Sequence, residues 1–561
     1  MIIETDVCIV GSGAGAAPVA YTLSKAGKKV LVLEKGPWLK EEDFSKDEIS
    51  VCRRPGYTPN LRDEQHVLET PHKDHFDAKS TFDSGRDFWN GSLVGGSSNL
   101  MSGYFHRLKP NDFKLLSTYG PIDGANVADW PITYDELEPY YALTEKMIGV
   151  SGKVVSHSHL EPRSTPDFPY SPLTENFISS LIDNACKNLG FTPLPTARAI
   201  ISKPKEERNA CYMSNYCGSY ACSSGAKGSA RAALLDPALK TGNLTITPHA
   251  KVFKLTTDNT GKVVSAHYYN ENQEEIMVMA TTFVVACQAI ETSRLLMSSP
   301  GEKHPNGIGN NTNQLGKNLI FSAGGVGHGE FPYANFSEEE VNKLKSRGTF
   351  VNRSLQEWYE IDDPEFGKKT KGGTVDFLWK HANPISRAIR LKWGTDGLVW
   401  GEALKAKMHQ YFTQERHLTF EVFNDWLPTD DCFVTLDDQV TDKWGDPVAK
   451  VRLGYHAHDL KVGEYISNKT EAVLKEMGAT RIRSSVSGSP PANLQAGGCR
   501  FGDDPNTSVL DKNCKVHDCD NLYVTDGSFM PTGGSVPYTF TIYANSFRVA
   551  EHIKSISPIN L

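Results

Sequence analysis

Short apolar runs closed by glycines or polar turns recur along the chain, and the first two frame its organisation. Asp6-Val-Cys-Ile-Val10 leads straight into Gly11-Ser-Gly13-Ala-Gly15-Ala16, Ala17 to Ala26 is helix-like, and Lys29-Val-Leu-Val-Leu33 is a second apolar run ending in Glu34. The pattern predicts a strand, a glycine turn, a helix and a strand, with an acid at the second strand's tip. A dinucleotide site explains each part. Gly11 permits the tight turn, and Gly13 lets the backbone approach a pyrophosphate. Ala16 stands where a third glycine often sits and is still small enough for close helix–strand packing. The helix N-terminus then faces phosphate charge, and Glu34, twenty-one residues beyond Gly13, can accept from a ribose hydroxyl.

The pattern then loosens. Residues 37–80 are polar, punctuated by Pro55, Pro59 and Pro71, and read as an excursion over the surface. Asn90-Gly-Ser-Leu-Val-Gly95-Gly96-Ser97-Ser98-Asn99-Leu-Met-Ser-Gly103 holds four glycines and four serines. Such backbone lies against something flat or charged and offers it amide donors. Thr133 with Glu136 forms a capping box that starts a helix. Ser223 to Asp236 reads as a helix, Asn243 to Leu255, Val264 to Asn270 and Ile276 to Ala280 as strands, and Phe283 to Leu296 as a buried strand running into a helix. Residues 415–427 alternate as a strand whose polar face can line a cavity, and Leu522 to Thr525 is a strand with an Asp526-Gly527 turn at its carboxyl end. Tyr21, Trp89 and Trp400 read as core residues.

Composition narrows the function. The 561 residues are 39% hydrophobic and 22% charged, enough for two or more domains of ordinary globular character. Lys and Arg number 59 against 67 Asp and Glu, a net charge of −8 without a basic block, which argues against a nucleic-acid partner. No apolar run is long enough to span a bilayer, and the N-terminus enters a strand at once with no signal-peptide pattern. The chain's own sequence therefore points to the cytoplasm. Eleven cysteines cannot all pair. Cys8, Cys186 and Cys287 read as buried small residues. Cys211, Cys217 and Cys222, with five and four intervening residues, have two readings: an iron–sulfur site or a tight loop of buried thiols.

These stretches together resemble the glucose–methanol–choline (GMC) family of FAD-dependent oxidoreductases. The resemblance rests on GSGAGA with Glu34, GGSSN at 95–99, HAKVFKL at 249–255, ACQAIETSRLL at 286–296 and NLYVTDGSFMPTGGSVPYTFTIYANSFRVAEHI at 521–553. DWPITYDELEPYY and the three-cysteine loop look most like the large flavoprotein subunits of bacterial sugar and polyol dehydrogenases. Some of those carry a three-iron cluster at such a loop, although the second cysteine interval here is one residue longer. The implied fold is α/β: a Rossmann-like FAD-binding domain built from discontinuous segments (1–150, 211–300 and 490–561) plus an α+β substrate domain with an antiparallel sheet (151–210 and 301–489). The resemblance implies FAD held by Gly11, Gly13, Gly15, Ala16 and Glu34. Backbone around Gly95, Gly96, Ser97 and Asn99 would lie beside the isoalloxazine, Val252 on the adenine side, and Asp526 and Gly527 at the pyrophosphate and ribityl chain. Leu100 stands where some relatives attach FAD covalently to a histidine, so noncovalent FAD is expected.

The chain departs from the family at the catalytic pair. The usual base position is Leu494 in Leu494-Gln-Ala-Gly-Gly-Cys-Arg-Phe-Gly502, and its partner position is Pro537 in Val536-Pro-Tyr-Thr-Phe-Thr-Ile542. Neither side chain takes a proton, and losing a general base typically costs about 10²–10⁴-fold in rate. Candidate replacement bases are His417 on the alternating strand and His106 just past the glycine loop, while Tyr538, Asn493 and Gln495, beside the vacated positions, are candidates to orient the substrate. The leading expectation is oxidation of a CH–OH group of a sugar, polyol or glycoside, with hydride passing to flavin N5 and electrons to a non-oxygen acceptor. The alternatives are a different flavin reaction or a noncatalytic flavoprotein subunit. A small subunit and a cytochrome or quinone acceptor are the partners that the resemblance implies, with periplasmic location if the chain is co-exported with a partner.

Overall fold

The computed structural model describes residues 2–51, 56–86, 88, 90–346, 348–379, 383–394, 397–489 and 494–556. Its first sheet is parallel at its centre. Leu244–Thr247, Val30–Leu33, Ile2–Val10 and Glu275–Val285 lie side by side in that order, and Leu522–Val524 pairs with the end of Glu275–Val285. The first half of that long strand is extended by the antiparallel strands Val263–Tyr269 and Lys251–Thr257. Val7 to Val10, Val30 to Leu33 and Phe283 to Val285 are buried, as continuous apolar runs in a parallel sheet covered on both faces should be. Helix Thr539–Ile556 packs against helices Ala17–Lys25 and Tyr134–Thr144. The latter begins at Thr133, whose hydroxyl accepts from the Glu136 amide.

The second sheet runs Thr480–Val486, Gly325–Pro332, Glu415–Asp425, Gly373–Trp379, Val351–Leu355, Leu194–Pro195, antiparallel throughout. Helices Ala457–Glu476 and Phe177–Leu189 cover one face. Leu418, Phe420 and Val422 pack with Val462, Ile466 and Leu474 on that side. With period two, Thr419 and Glu421 therefore face the other way, towards the first sheet. These two sheets make the α/β architecture of a Rossmann-like domain joined to an antiparallel substrate module.

Several expectations change in the structure. The stretch 37–80 is not wholly an excursion: Val67–His72 and His75–Ser80 form a hairpin that pairs with Pro447–Leu453, which pairs in turn with Cys432–Thr441. Long-range pairing of this kind leaves no local periodicity. Ser223 to Asp236 is not one helix; helical turns begin only at Arg231, because the preceding residues fold back along the 95–99 loop. Asn243 to Leu255 is two strands, broken where His249 adopts a left-handed φ of 55°. Trp400 is 77% exposed and not a core residue, Tyr21 packs half-buried on the core, and Trp89 lies outside the described residues. Cys8 and Cys186 are buried and Cys287 half-buried. Among the described residues no helix is long and apolar enough to cross a membrane.

Candidate active site

The first strand ends where Gly11 turns with φ +93°, a conformation that disfavours any side chain. A Cβ on Gly11 would stand 2.3 Å from the Ala286 carbonyl oxygen, and one on Gly15 would stand 2.6 Å from that of Thr525. These two glycines let three strand ends converge. Gly13 differs, since a Cβ there would meet nothing within 4 Å. It faces a cavity of about 890 Å³ together with Gly11, Ser12, Ala14 and Gly15. Ala16 is buried at the helix start, where its small side chain serves packing.

Glu34 is held at the tip of the second strand. Its carboxylate accepts from Ser12 Oγ at 2.5 Å and from the Gly36 amide at 2.9 Å. Burial pushes it up from the ordinary carboxylate range, and those hydrogen bonds pull it back. Ser12 Oγ also accepts from the Gly95 amide at 2.9 Å, tying the 95–99 loop to the first turn. In that loop Gly96 and Ser97 line the cavity. Gly95 and Asn99 shape the loop instead: Asn99 Nδ2 donates to the Val94 and Gly96 carbonyls at 3.0 Å each. Val252, Asp526 and Gly527 line the cavity as well. Asp526 is buried and accepts from Thr292 Oγ1, the Gln288 amide, and both the amide and hydroxyl of Ser528. Burial raises its carboxyl, and these donors oppose the rise.

The cavity continues to the second sheet, where Leu378, Trp379, Thr419, Glu421, Phe423 and Trp426 form its far wall. Leu494 and Pro537 both line it, and Leu494 holds a left-handed φ of 59°. The sequence candidates fare unevenly. Tyr538 touches the cavity, but its hydroxyl donates into the fold, to the Phe321 carbonyl. Gln495 also lines the cavity, with Nε2 donating to the Phe88 carbonyl at 2.7 Å. His417 lies on the predicted face but beyond the cavity, with Nε2 on Glu415 at 2.9 Å and its ring against Tyr411. His106 is buried behind the wall, 3.2 Å from both Asp376 oxygens. Asn493 lies outside the described residues. Among the described residues no histidine lines the cavity.

The family model described as GMC oxidoreductase matches residues 9–321 with its N-terminal part and 428–546 with its C-terminal part. The chain belongs to the GMC oxidoreductase family. It is 30% identical over 570 residues to the 2-methyl-1,2-propanediol dehydrogenase of Mycolicibacterium austroafricanum, covering 98% of this chain and 95% of that protein. Against the fructose dehydrogenase large subunit of Gluconobacter japonicus it is 27% identical, covering 98% of each. The crystal structure of pyridoxine 4-oxidase from Mesorbium loti shares the fold with a TM-score of 0.62 at 18% identity, covering 99% of this chain and 100% of that one.

GMC oxidoreductases are FAD enzymes, and the cradle of this one fits the cofactor. The open space over Gly13 would take a pyrophosphate, the buried Glu34 carboxylate at the tip of the second strand would meet a ribose hydroxyl, and the 95–99 loop lines the same cavity. Leu100 is fully buried and lines the cavity without an attachable atom.

The cysteine loop of this GMC oxidoreductase abuts the same cavity, which Gly218 and Ser219 help to line. Lys227, buried beneath, donates to the carbonyls of Asn99, Cys217 and Tyr220 at 2.9, 2.9 and 2.8 Å, pinning the cysteine loop to the 95–99 loop. Burial pulls that ammonium down to about 8, opposed by the Cys217 and Cys222 thiols. Burial alone would raise Cys222, but Lys227 and hydrogen bonds with Ser224 bring it below an ordinary thiol. Cys211, by contrast, is pushed up by burial to about 11. Among the described residues the three sulfurs do not form a set within 4.8 Å of one another. A tetrahedral zinc ion, with sulfur at about 2.3 Å, needs its ligands closer than that.

Sequence reasoning passed over Glu421. It stands on the strand and face already singled out for His417, four residues further along and inside the cavity. Tyr104 Oη donates to its Oε2 at 3.2 Å. Burial, and then the charge of Asp376 paired directly across on the neighbouring strand, push its carboxyl up to about 7. The alternation of 415–427 carried the signal, but it could not say how far along the strand the cavity extends.

Proposed function

We propose that this GMC oxidoreductase oxidises a CH–OH group of a sugar, polyol or glycoside and passes the electrons to an acceptor other than oxygen. The observation that carries the reading is the single cavity running from the nucleotide cradle to a wall of mixed character. Trp379, Phe423 and Trp426 alternate there with Thr419, Glu421, Ser485 and Gln495, and Arg387 and Arg390 lie at its side. Aromatic faces and hydrogen-bonding groups in one wall suit a polyhydroxylated ring, which presents C–H patches and hydroxyls together. FAD supplies the hydride acceptor when bound. The chain's part is to hold the carbinol carbon in place, exclude water and take the hydroxyl proton.

Relatives named as dehydrogenases, and as a large subunit, favour electron export to a partner. The cysteine loop supports the same direction. Cys211, Cys217 and Cys222 gather on one apolar cluster beside the cavity, too far apart for one tetrahedral ion, and would hold an iron–sulfur cluster able to take electrons singly. The left-handed backbone of Met213, Asn215 and Ser219 around these thiols fits a loop shaped for a ligand. Iron and acid-labile sulfide in the purified protein, lost in Cys217→Ser with FAD retained, test that part.

A different flavin reaction is favoured by one observation, the apolar Leu494 and Pro537. The deciding experiment is anaerobic addition of sugars, polyols and glycosides to the FAD-loaded enzyme. Bleaching of the flavin band is the expected result. A flavin that dithionite reduces but no alcohol does would sink the proposal and leave the second reading.

A further inference from the structure

Two carboxylates and a tyrosine meet at the substrate wall, away from the positions of the usual catalytic pair. Asp376 on Gly373–Trp379 and Glu421 on Glu415–Asp425 are directly opposed in register, so their side chains share one face of the sheet. Asp376 is fully buried. It accepts from Ser354 Oγ, lies 3.4 Å from Thr196 Oγ1 and meets His106 Nε2 at 3.2 Å. Its carboxylate is thus saturated and fixed. Glu421 is the partner turned into the cavity, with one oxygen on Tyr104 Oη.

The other carboxylates that line the cavity are committed elsewhere. Glu34 binds Ser12 and Gly36, Glu291 pairs with His66 and Arg294, Asp446 pairs with Lys251, and Asp526 accepts from Gln288, Thr292 and Ser528. Tyr104 has its hydroxyl held well above the ordinary tyrosine range by burial and by Glu421 and Asp376, so it stays a donor. Tyr538 points its hydroxyl away. Among the described residues, Glu421 is the group on the substrate wall able to accept a proton near neutral pH.

We propose that Glu421 is the general base of this enzyme, with Tyr104 and Asp376 as positioning residues. The assignment rests on the reading of the chain as an oxidoreductase of CH–OH groups. The substrate O–H bond breaks and its proton passes to the Glu421 carboxylate. The O–H electron pair becomes the second bond of the product carbonyl. The C–H bond breaks with its electron pair leaving as hydride to the bound FAD, which is reduced by two electrons. Glu421 then returns the proton to water. A carboxyl brought up to about 7 is matched to this task, ionised enough to accept and basic enough to pull. The charged and titratable groups facing it are Asp376, with His106 behind it; Tyr104, with Arg198 beyond its ring; and Arg387 and Arg390 on the cavity side. From Gly325–Pro332 and Thr480–Val486 it faces Val326 and Ser485, which carry no charge.

The test compares wild type, Glu421→Gln, Glu421→Asp and Tyr104→Phe as FAD-loaded enzymes. Without substrate, infrared difference spectra across pH should show a protonated-carboxyl band in wild type that titrates near 7 and is absent from Glu421→Gln. Anaerobic stopped-flow reduction by the best substrate should be slowed about 10²–10⁴-fold in Glu421→Gln, with the rising limb of the pH profile gone. Substrate affinity should move only a few-fold. Glu421→Asp should keep the limb at reduced rate, and Tyr104→Phe should shift it. A Glu421→Gln enzyme with normal flavin content that reduces within threefold of wild type and keeps the limb overturns the base assignment while alcohol oxidation stands. A wild-type flavin that no alcohol reduces overturns the underlying reading, and the base role with it.

Discussion

Gly11 and Gly13 stand two residues apart and carry opposite predictions. A methyl group at Gly11 would overlap the Ala286 carbonyl oxygen in a left-handed backbone, so Gly11→Ala should destabilise even the apoprotein, by about 2 kcal/mol or more. At Gly13 the methyl enters open cavity. Gly13→Ala should therefore leave apoprotein urea melts unchanged and weaken FAD binding by at least about tenfold, since the pyrophosphate loses its close approach. Loss of apoprotein stability in both variants would remove the distinction. Glu421 gives a second residue-scale prediction, in stability rather than rate. Its carboxyl is raised from 4.5 to about 7, so the folded state holds that proton more tightly than the unfolded chain does. The contribution is fully present below pH 4.5 and is lost as pH rises through 7, on the order of 3 kcal/mol at most. Urea melts should show Glu421→Gln gaining on wild type between pH 5 and pH 8; an unchanged gap refutes the shift. That Gly13, Glu34 and Asp526 come together on one cavity was legible from the sequence, because glycine spacing and an acid at a strand end are local signals. The cavity's end at Thr419 and Glu421 was not, because it depends on where a distant sheet stops.

At the scale of elements, the loop from Cys211 to Lys227 shows why local patterning failed. Ser223 to Asp236 has helix-forming residues, yet Gly228 packs so closely on Ile148 that a Cβ would stand 2.7 Å from its carbonyl oxygen. Residues 223–229 are held out of a helix by tertiary contacts, among them Lys227 reaching three carbonyls on two loops. Lys227→Met would leave those buried acceptors without their donor and should cost on the order of 3 kcal/mol. Hydrogen exchange should then quicken in 95–100 and 217–227 together, because one ammonium holds both. Faster exchange in only one of the loops would show that they are fastened independently. The helix after Thr133 and the strand 415–425 were readable beforehand, since a capping box and strict alternation need no distant partner.

At the scale of the whole molecule, the chain interleaves its two large cores rather than stringing them in sequence. The first sheet takes strands from the start, middle and end of the chain, and the substrate sheet lies mostly between the last two contributions. Val67–His72, from the N-terminal part, pairs with Pro447–Leu453 from the C-terminal part. Lys251 beside the cradle is paired with Asp442 and Asp446, and Ile320 bridges Ala496. Leu494 packs against both large apolar clusters. The cavity has one wall from each core, so opening either core removes one wall of the site. Heating the FAD-loaded enzyme should accordingly give one transition. Flavin release reports on the cradle, and fluorescence of the buried Trp379 and Trp426 reports on the substrate wall; their midpoints should coincide within about 2 °C at every heating rate. Excess FAD should raise both midpoints equally, because ligand bound only to the native state stabilises everything that unfolds with it. A tryptophan transition that stays put while flavin release moves with FAD concentration would mean that the two cores unfold separately despite their shared strands.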